Sequence, residues 1–319
     1  MKPKVFVPEP IALNGMDLLA ADCDLVAPWQ TGDEVDRADL YAADAAIVRL
    51  FKVQKEDFPK AKNLKVIAKH GVGLDNIDCQ VASDFGITVV YTPTANANAV
   101  AEHTIALMLA LVRKIAPASK ALTSGRFAQR GRFLGIELAG KTLGIIGLGR
   151  VGSSVAVIAA QGLKMNVIGY DPYQADDSFA RPVRQVRSLE SLIRQADVIS
   201  LHVALTSETE NMINDRTLAW AKPDCVIVNT SRGAVIDEAA LVQALVEERL
   251  AGAALDVFTN EPLPADHPLI SAPNTLLTPH ISSSTLESLD RMSIQAAQGI
   301  LDVLHGVKPK FIANPEVLS

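Results

Sequence analysis

The chain has 319 residues, 49% of them hydrophobic and 21% charged, with a formal net charge of −6. That length suits two ordinary domains, and the composition is that of a soluble globular chain rather than a disordered or membrane-embedded one. A pI near 5.6, with no long basic stripe, argues against a nucleic-acid partner.

The N-terminal residues run straight into a strand pattern with no signal-peptide apolar region. The longest apolar run, Ile105 to Val112, is far too short to span a bilayer. A cytoplasmic location with no membrane association is the expectation. Cys23, Cys79 and Cys225 are far apart and odd in number. They predict buried thiols rather than a disulfide framework, and no metal motif is seen.

Strands are predicted at Lys4–Pro8, Asp24–Pro28, Ala45–Arg49, Leu64–His70 and Ile87–Thr92, with helices such as Ile11–Ala21 and Ile77–Phe85 between them. Asp75 and Asn76 are expected to cap the second of these helices, as short polar side chains commonly do. Alternation of this kind predicts a parallel sheet covered by helices. This part carries no dinucleotide glycine turn, so it is expected to be a smaller doubly wound domain with another task. A long helix follows at Ala99–Lys114, and the Gly- and Arg-rich stretch Arg126–Glu137 reads as connecting structure.

From Gly140 the pattern changes. Lys141 to Gly152 reads as a buried strand ending in G-x-G-x-x-G and opening a helix. Gly147 permits the tight turn, Gly149 lets backbone approach a pyrophosphate, and Gly152 allows close helix–strand packing. A second strand, Asn166–Tyr170, ends at Asp171, where the ribose hydroxyls of a dinucleotide need an acceptor. Glycines alone also mark ordinary turns; the complete strand–helix–strand–Asp order predicts a nucleotide site. The Asp171 carboxylate would repel a 2′-phosphate, which favours NAD over NADP.

Further strands are predicted at Val198–Val203, Cys225–Thr230, Gly252–Val257 and Asn274–Thr278. Helices are predicted at Ser188–Ala196, Asn214–Ala221 and Asp237–Leu250. A last amphipathic helix, about Ser284 to His305, starts just past the final strand. The chain is therefore expected to cross back, with its tail packed on the first domain.

Four further segments carry a resemblance. They are Lys69-His70-Gly71-Val72-Gly73-Leu74-Asp75-Asn76-Ile77-Asp78, Val228-Asn229-Thr230-Ser231-Arg232-Gly233, Leu255-Asp256-Val257-Phe258-Thr259-Asn260-Glu261-Pro262 and Leu277-Thr278-Pro279-His280-Ile281-Ser282. With Gly147–Gly152 and Ala101-Glu102-His103-Thr104, in this order, they resemble the signatures of the D-2-hydroxyacid dehydrogenases, most closely the phosphoglycerate dehydrogenases in a short form. The resemblance implies an NAD-binding Rossmann domain, residues 98–285, inserted into a smaller flavodoxin-like substrate domain, residues 1–97 plus 286–319. It also implies a homodimer formed through the NAD domain.

It further implies catalytic roles for Arg232, Glu261 and His280. The chemistry of the three residue types agrees. Imidazole exchanges a proton near neutral pH, a carboxylate beside it favours imidazolium, and a guanidinium grips a carboxylate bidentately. Besides Gly147, Gly149, Gly152 and Asp171, the resemblance implies cofactor contacts for Thr104, Arg150, Val151, Val203, Thr230, Ser231 and Asp256.

The amides of Gly71, Val72 and Gly73, at a strand end, are expected to offer an anion nest for the substrate carboxylate. Arg49, Lys52, Lys69 and His70 form either a cationic patch for a second anionic group or scattered surface cations. One departure stands out: His202-Val203-Ala204-Leu205 lacks the proline that relatives often carry there, which puts the loop's geometry in question. The expected activity is hydride transfer between NAD and a D-2-hydroxy acid or its 2-oxo acid. D-3-phosphoglycerate is the leading substrate; hydroxypyruvate, glyoxylate and sulfolactate are the alternatives. A rival of another class is an NAD-sensing binding protein like the C-terminal-binding-protein corepressors. A substrate screen following NADH absorbance separates the two.

Overall fold

The structure, a computed structural model, describes residues 2–174 and 182–318. Two compact units form, Met1–Asn96 with Ser284–Ser319, and Ala97–Ser283. No helix among the described residues is long and apolar enough to cross a membrane.

The first unit is built on β1 (Lys4–Phe6), β2 (Asp24–Val26), β3 (Ala45–Val48), β4 (Val66–Lys69) and β5 (Thr88–Val90). They align in the order β2-β1-β3-β4-β5, all parallel, the flavodoxin-like arrangement expected from the sequence. Parallel strands covered on both faces must be apolar throughout, and β3 is buried at every position. Val5, Ile47 and Val66 pack on one face, and Phe6, Val48 and Ile67 on the other.

The returning helix Leu286–Leu304 lies against the helix Leu13–Ala20 and covers β4 and β5. The two helices meet at Gly15, where a Cβ would stand 2.6 Å from Ser293 Cβ. The tail is fixed by Asn314, whose Oδ1 accepts from Val89 N–H at 2.7 Å and whose Nδ2 donates to Ile87 O at 2.9 Å.

The second unit carries β6 (Thr142–Ile146), β7 (Asn166–Tyr170), β8 (Arg184–Gln185), β9 (Val198–Leu201), β10 (Val226–Asn229), β11 (Gly252–Leu255) and β12 (Thr275–Leu277). Their order is β12-β11-β10-β9-β6-β7-β8, again all parallel. Strand order reverses between β6 and β9, which makes the loops after these strands the switch point where ligands bind in open α/β sheets. Leu143 and Ile145 face one core, with Val155, Val167 and Val228. Ile146 faces the other, with Ile199, Ile227 and Leu241.

Several local expectations need correction. Asp78, not Asp75 or Asn76, caps the helix Cys79–Asp84, accepting from Val81 N–H at 3.0 Å. The helix predicted over Asp237–Leu250 ends at Val246. Glu248 adopts φ 56°, and the amides of Glu248 and Arg249 return to Leu245 O and Ala244 O. This is a Schellman ending without the glycine that usually announces it. The long helix runs over Ala97–Val112, and Lys114 at φ 53° breaks it from an unanticipated helix, Ile115–Thr123. A 3₁₀ turn, Phe127–Arg132, occupies part of the connecting stretch.

Candidate active site

The glycine turn follows β6. Gly147 has φ 88°, and a Cβ there would sit 2.6 Å from His202 O. Gly152 lies under the same turn, where a Cβ would meet Gly147 O at 2.1 Å. Around Gly149, by contrast, a Cβ would meet nothing within 4 Å. Two glycines are thus demanded by packing, and the middle one has open space above it. That is the pattern of a cradle for pyrophosphate at the N-terminus of the helix Arg150–Val157.

Asp171 follows β7, and its carboxylate accepts from Leu148 N–H at 3.0 Å and Tyr173 N–H at 3.1 Å. The carboxylate is tied to the glycine turn itself, on the side where a ribose would lie. Arg150 is exposed and Val151 half-buried at the start of the helix. Val203 flanks Gly147, its Cγ1 standing 2.9 Å from where a Cβ on that glycine would be. The proline missing from the loop after Val203 is offset by Thr209, whose hydroxyl donates to Ala204 O at 2.6 Å and accepts from Thr206 N–H at 2.8 Å.

The ends of β10, β11 and β12 bring a second set together. Arg232 stands past β10 in extended backbone, its carbonyl accepting from Asn229 Nδ2 at 2.8 Å. Gly233 follows, and a Cβ there would lie 1.9 Å from Phe258 C. The absent side chain lets the backbone beside Arg232 press on the segment leading to Glu261. Glu261 accepts from Phe258 N–H at 3.0 Å through Oε1 and meets His280 Nδ1 at 2.6 Å through Oε2. Partial burial pushes its carboxyl up. The His280 and Phe258 hydrogen bonds and the nearby charges of His280 and Arg232 outweigh that and hold it below the usual range.

His280 sits at φ 51°, a left-handed conformation uncommon for residues other than glycine. Asp256 holds it there. The Asp256 carboxylate is fully buried and accepts from Thr278 Oγ1 at 2.6 Å, Ile281 N–H at 2.9 Å and Ser282 N–H at 2.8 Å. His103, on the long helix, lies 3.2 Å from Thr278 Oγ1 and 3.5 Å from Asp256 Oδ1. Burial raises the Asp256 carboxyl, but the bonds from His103, Thr278, Ile281 and Ser282 overcome it and bring it to about 2.

Two residues expected at the cofactor have polar atoms engaged within the protein. The Asp256 oxygens serve the His280 turn. Thr104 is buried, with its hydroxyl bonded to Val100 O at 2.7 Å and Thr230 Oγ1 at 2.8 Å. Thr230 and Ser231 are also buried. Sequence reading missed the supporting roles of Asn229, Thr278 and His103. All three stand in or beside the quoted segments, but only the fold shows what they touch.

In the first unit the anion nest and the cationic patch are both redrawn. The Gly71 amide is bonded to Thr92 Oγ1 at 2.9 Å, so a nest is left to the amides of Val72 and Gly73. His70 is not a surface cation. It is buried, Nε2 lies 3.0 Å from Ser293 Oγ, and burial together with the Arg49 and Lys69 charges pushes it down to about 4. The Lys69 ammonium is bonded to Arg49 O and to Asn76 Oδ1. Arg49 and Lys52 stay at the edge past β3.

Residues 105–282 match the model of the D-isomer specific 2-hydroxyacid dehydrogenase NAD-binding domain. The chain is 39% identical to a glyoxylate reductase of Thermofilum pendens, over 100% of this chain and 96% of that one. It is 41% identical to D-3-phosphoglycerate dehydrogenase 3, chloroplastic, of Arabidopsis thaliana, over 96% of this chain but about half, 52%, of that one. A solved structure from Thermus thermophilus superposes with a TM-score of 0.87 at 34% identity, covering 97% of this chain and 99% of that one. A glycine cradle with its tethered carboxylate, and a histidine paired to a glutamate, thus stand in a chain that belongs to the D-isomer specific 2-hydroxyacid dehydrogenases, which are NAD-dependent oxidoreductases.

Proposed function

We propose that His280 is the proton donor and acceptor, Glu261 its partner and Arg232 the carboxylate clamp in hydride transfer between NAD and a D-2-hydroxy acid or its 2-oxo acid. The observation that carries this is the 2.6 Å contact between His280 Nδ1 and Glu261 Oε2, with Arg232 near enough for its charge to act on Glu261. Bound NAD supplies the hydride acceptor. The glycine cradle orients it, and Asp171 takes the ribose hydroxyls and repels a 2′-phosphate. His280 removes the hydroxyl proton through Nε2, since Nδ1 is engaged by Glu261. The growing imidazolium is stabilised by that carboxylate. Arg232 holds the substrate carboxylate bidentately.

For the acid itself, D-3-phosphoglycerate is the leading substrate, with Arg49 and Lys52 as the cations that would receive the distal phosphate. The second reading is a small acid such as glyoxylate or hydroxypyruvate. It is favoured by His70 being neutral and Lys69 being spent on Arg49 O and Asn76. The test is kcat/KM for matched phosphorylated and unphosphorylated acids in the wild type and in Arg49→Ala. A selective loss of about 10-fold or more on the phosphorylated acid supports the first reading. Equal losses support the second.

The dimer contact is proposed on the second unit, where Ile115, Leu122, Phe127 and Leu134 expose 54, 59, 64 and 84% of their surface. Exposed large apolar groups in one stretch mark association surfaces. Sedimentation of the wild type as a dimer and of Leu134→Glu as a monomer is the expected result.

A further inference from the structure

The segment Arg49-Leu50-Phe51, just past β3, is wrapped around one carboxylate. Glu9 Oε2 accepts from Arg49 N–H at 2.7 Å and Phe51 N–H at 2.9 Å. The Leu50 amide reaches Oε1 at 2.8 Å and Oε2 at 2.9 Å. Three successive amides converging on an anion form a nest of the kind that holds phosphates and carboxylates. Here a side chain from the loop after the neighbouring strand β1 fills it.

The carbonyls of Arg49, Phe51 and the following Lys52 are engaged as well. Asn76 Nδ2 donates to Arg49 O at 3.2 Å and to Phe51 O at 2.7 Å. Lys69 adds a bond to Arg49 O, and Arg37 Nη2 donates to Lys52 O at 3.1 Å. The Arg37 guanidinium also lies 5.0 Å from the Phe51 ring centroid. The result is a loop of rigid backbone whose Leu50 side chain nevertheless stands exposed. Such a loop presents side chains in a set geometry, which is what a reading edge at the C-terminal end of a parallel sheet requires. The Glu9-Pro10 dipeptide grips Arg49 at both ends, because Arg49 Nη1 donates to Pro10 O at 3.3 Å.

We propose that Glu9 is a positioning residue for substrate recognition, its carboxylate filling the three-amide nest and thereby aiming Arg49 at the acid. The proposal rests on the reading above that this edge holds the substrate. Without the charge, one of the two acceptor oxygens becomes an amide donor facing the backbone N–H groups, and the loop repacks. Arg49 then samples many orientations, and preorganisation is lost.

The experiment is a double-mutant cycle of Glu9→Gln and Arg49→Ala. It reads KM for the acid, KM for NADH, kcat and Tm, with glyoxylate, hydroxypyruvate and D-3-phosphoglycerate as probes. Glu9→Gln is expected to raise KM for the acid about 10-fold, with KM for NADH unchanged. In the Arg49→Ala background it should add almost nothing, because the residue it positions is gone. Effects that add across the cycle, or an equal rise in KM for NADH, overturn the proposal and leave the catalytic reading intact. An Arg49→Ala protein with unchanged KM for the acid strikes the reading of this edge itself. Should Glu9→Gln not fold, Glu9→Asp keeps the charge on a shorter arm and is read in the same cycle.

Discussion

Asp256 holds His280 in its left-handed turn: its carbonyl accepts the His280 N–H at 2.8 Å, and its carboxylate takes the next two amides at 2.9 and 2.8 Å. Asp256→Asn replaces one acceptor oxygen by a donor facing those amides. It is expected to lower kcat at least 10-fold while NADH still binds. The same carboxyl is linked to acid stability. Its folded pKa of about 2 lies below the ordinary 3.8, so its contribution is complete above pH 3.8 and is lost as pH falls through about 2. Urea midpoints of wild type and Asp256→Asn measured from pH 7 to pH 2 should converge at the acid end.

His280→Ala should reduce kcat by about 10²- to 10⁴-fold with NADH affinity preserved. Near-normal turnover would remove His280 from proton transfer. Glu261→Gln tests the pair differently. The variant keeps the shape of the side chain but removes the charge facing Nδ1, so kcat should fall at least 10-fold with NADH affinity preserved. An unchanged kcat would make Glu261 structural.

Asp171→Ala should narrow the preference for NAD over NADP by weakening NAD and relieving repulsion of the 2′-phosphate. The comparison is kcat/KM with both cofactors. A wild type equally active with each would show that Asp171 does not select.

Gly233→Ala places a methyl group where Phe258 C stands 1.9 Å away. Backbone must move to admit it, at a cost of about 1–3 kcal/mol. Because Arg232 and the segment before Glu261 meet there, kcat should fall together with Tm. Wild-type activity in a folded Gly233→Ala protein would contradict this close approach.

His70 contributes stability in a different pH window. It is buried, Nδ1 has no hydrogen-bond partner among the described residues, and its pKa is lowered from 6.5 to about 4. The contribution is present above pH 6.5 and is lost as pH falls through about 4. A shift of that size corresponds to about 3 kcal/mol. Thermal unfolding at pH 7 and pH 4.5 should show a smaller acid loss in His70→Gln than in the wild type. Equal losses in the two would place the acid sensitivity elsewhere.

The parallel sheets were legible in the sequence because the strands are short apolar runs between turn signals, and burial on both faces demands that pattern. The glycine cradle was legible because its spacing is a local pattern, and Gly147 and Gly152 answer steric demands that no other residue meets. The boundary of the helix ending at Val246 was not legible, since Glu248 takes the left-handed position where glycine would have marked the stop. Nor did the sequence reveal that His70 is a neutral core residue or that Lys69 serves Arg49 and Asn76. Charge is visible in a residue's name, but burial and partners depend on what the chain folds against it. Asp256, Gly233 and Glu9 make the same point. Local spacing determines the strand ends that carry the chemistry. The contacts that orient it join residues tens of positions apart in the chain, such as Gly233 with Phe258 and Glu9 with Arg49. Only tertiary packing brings those together.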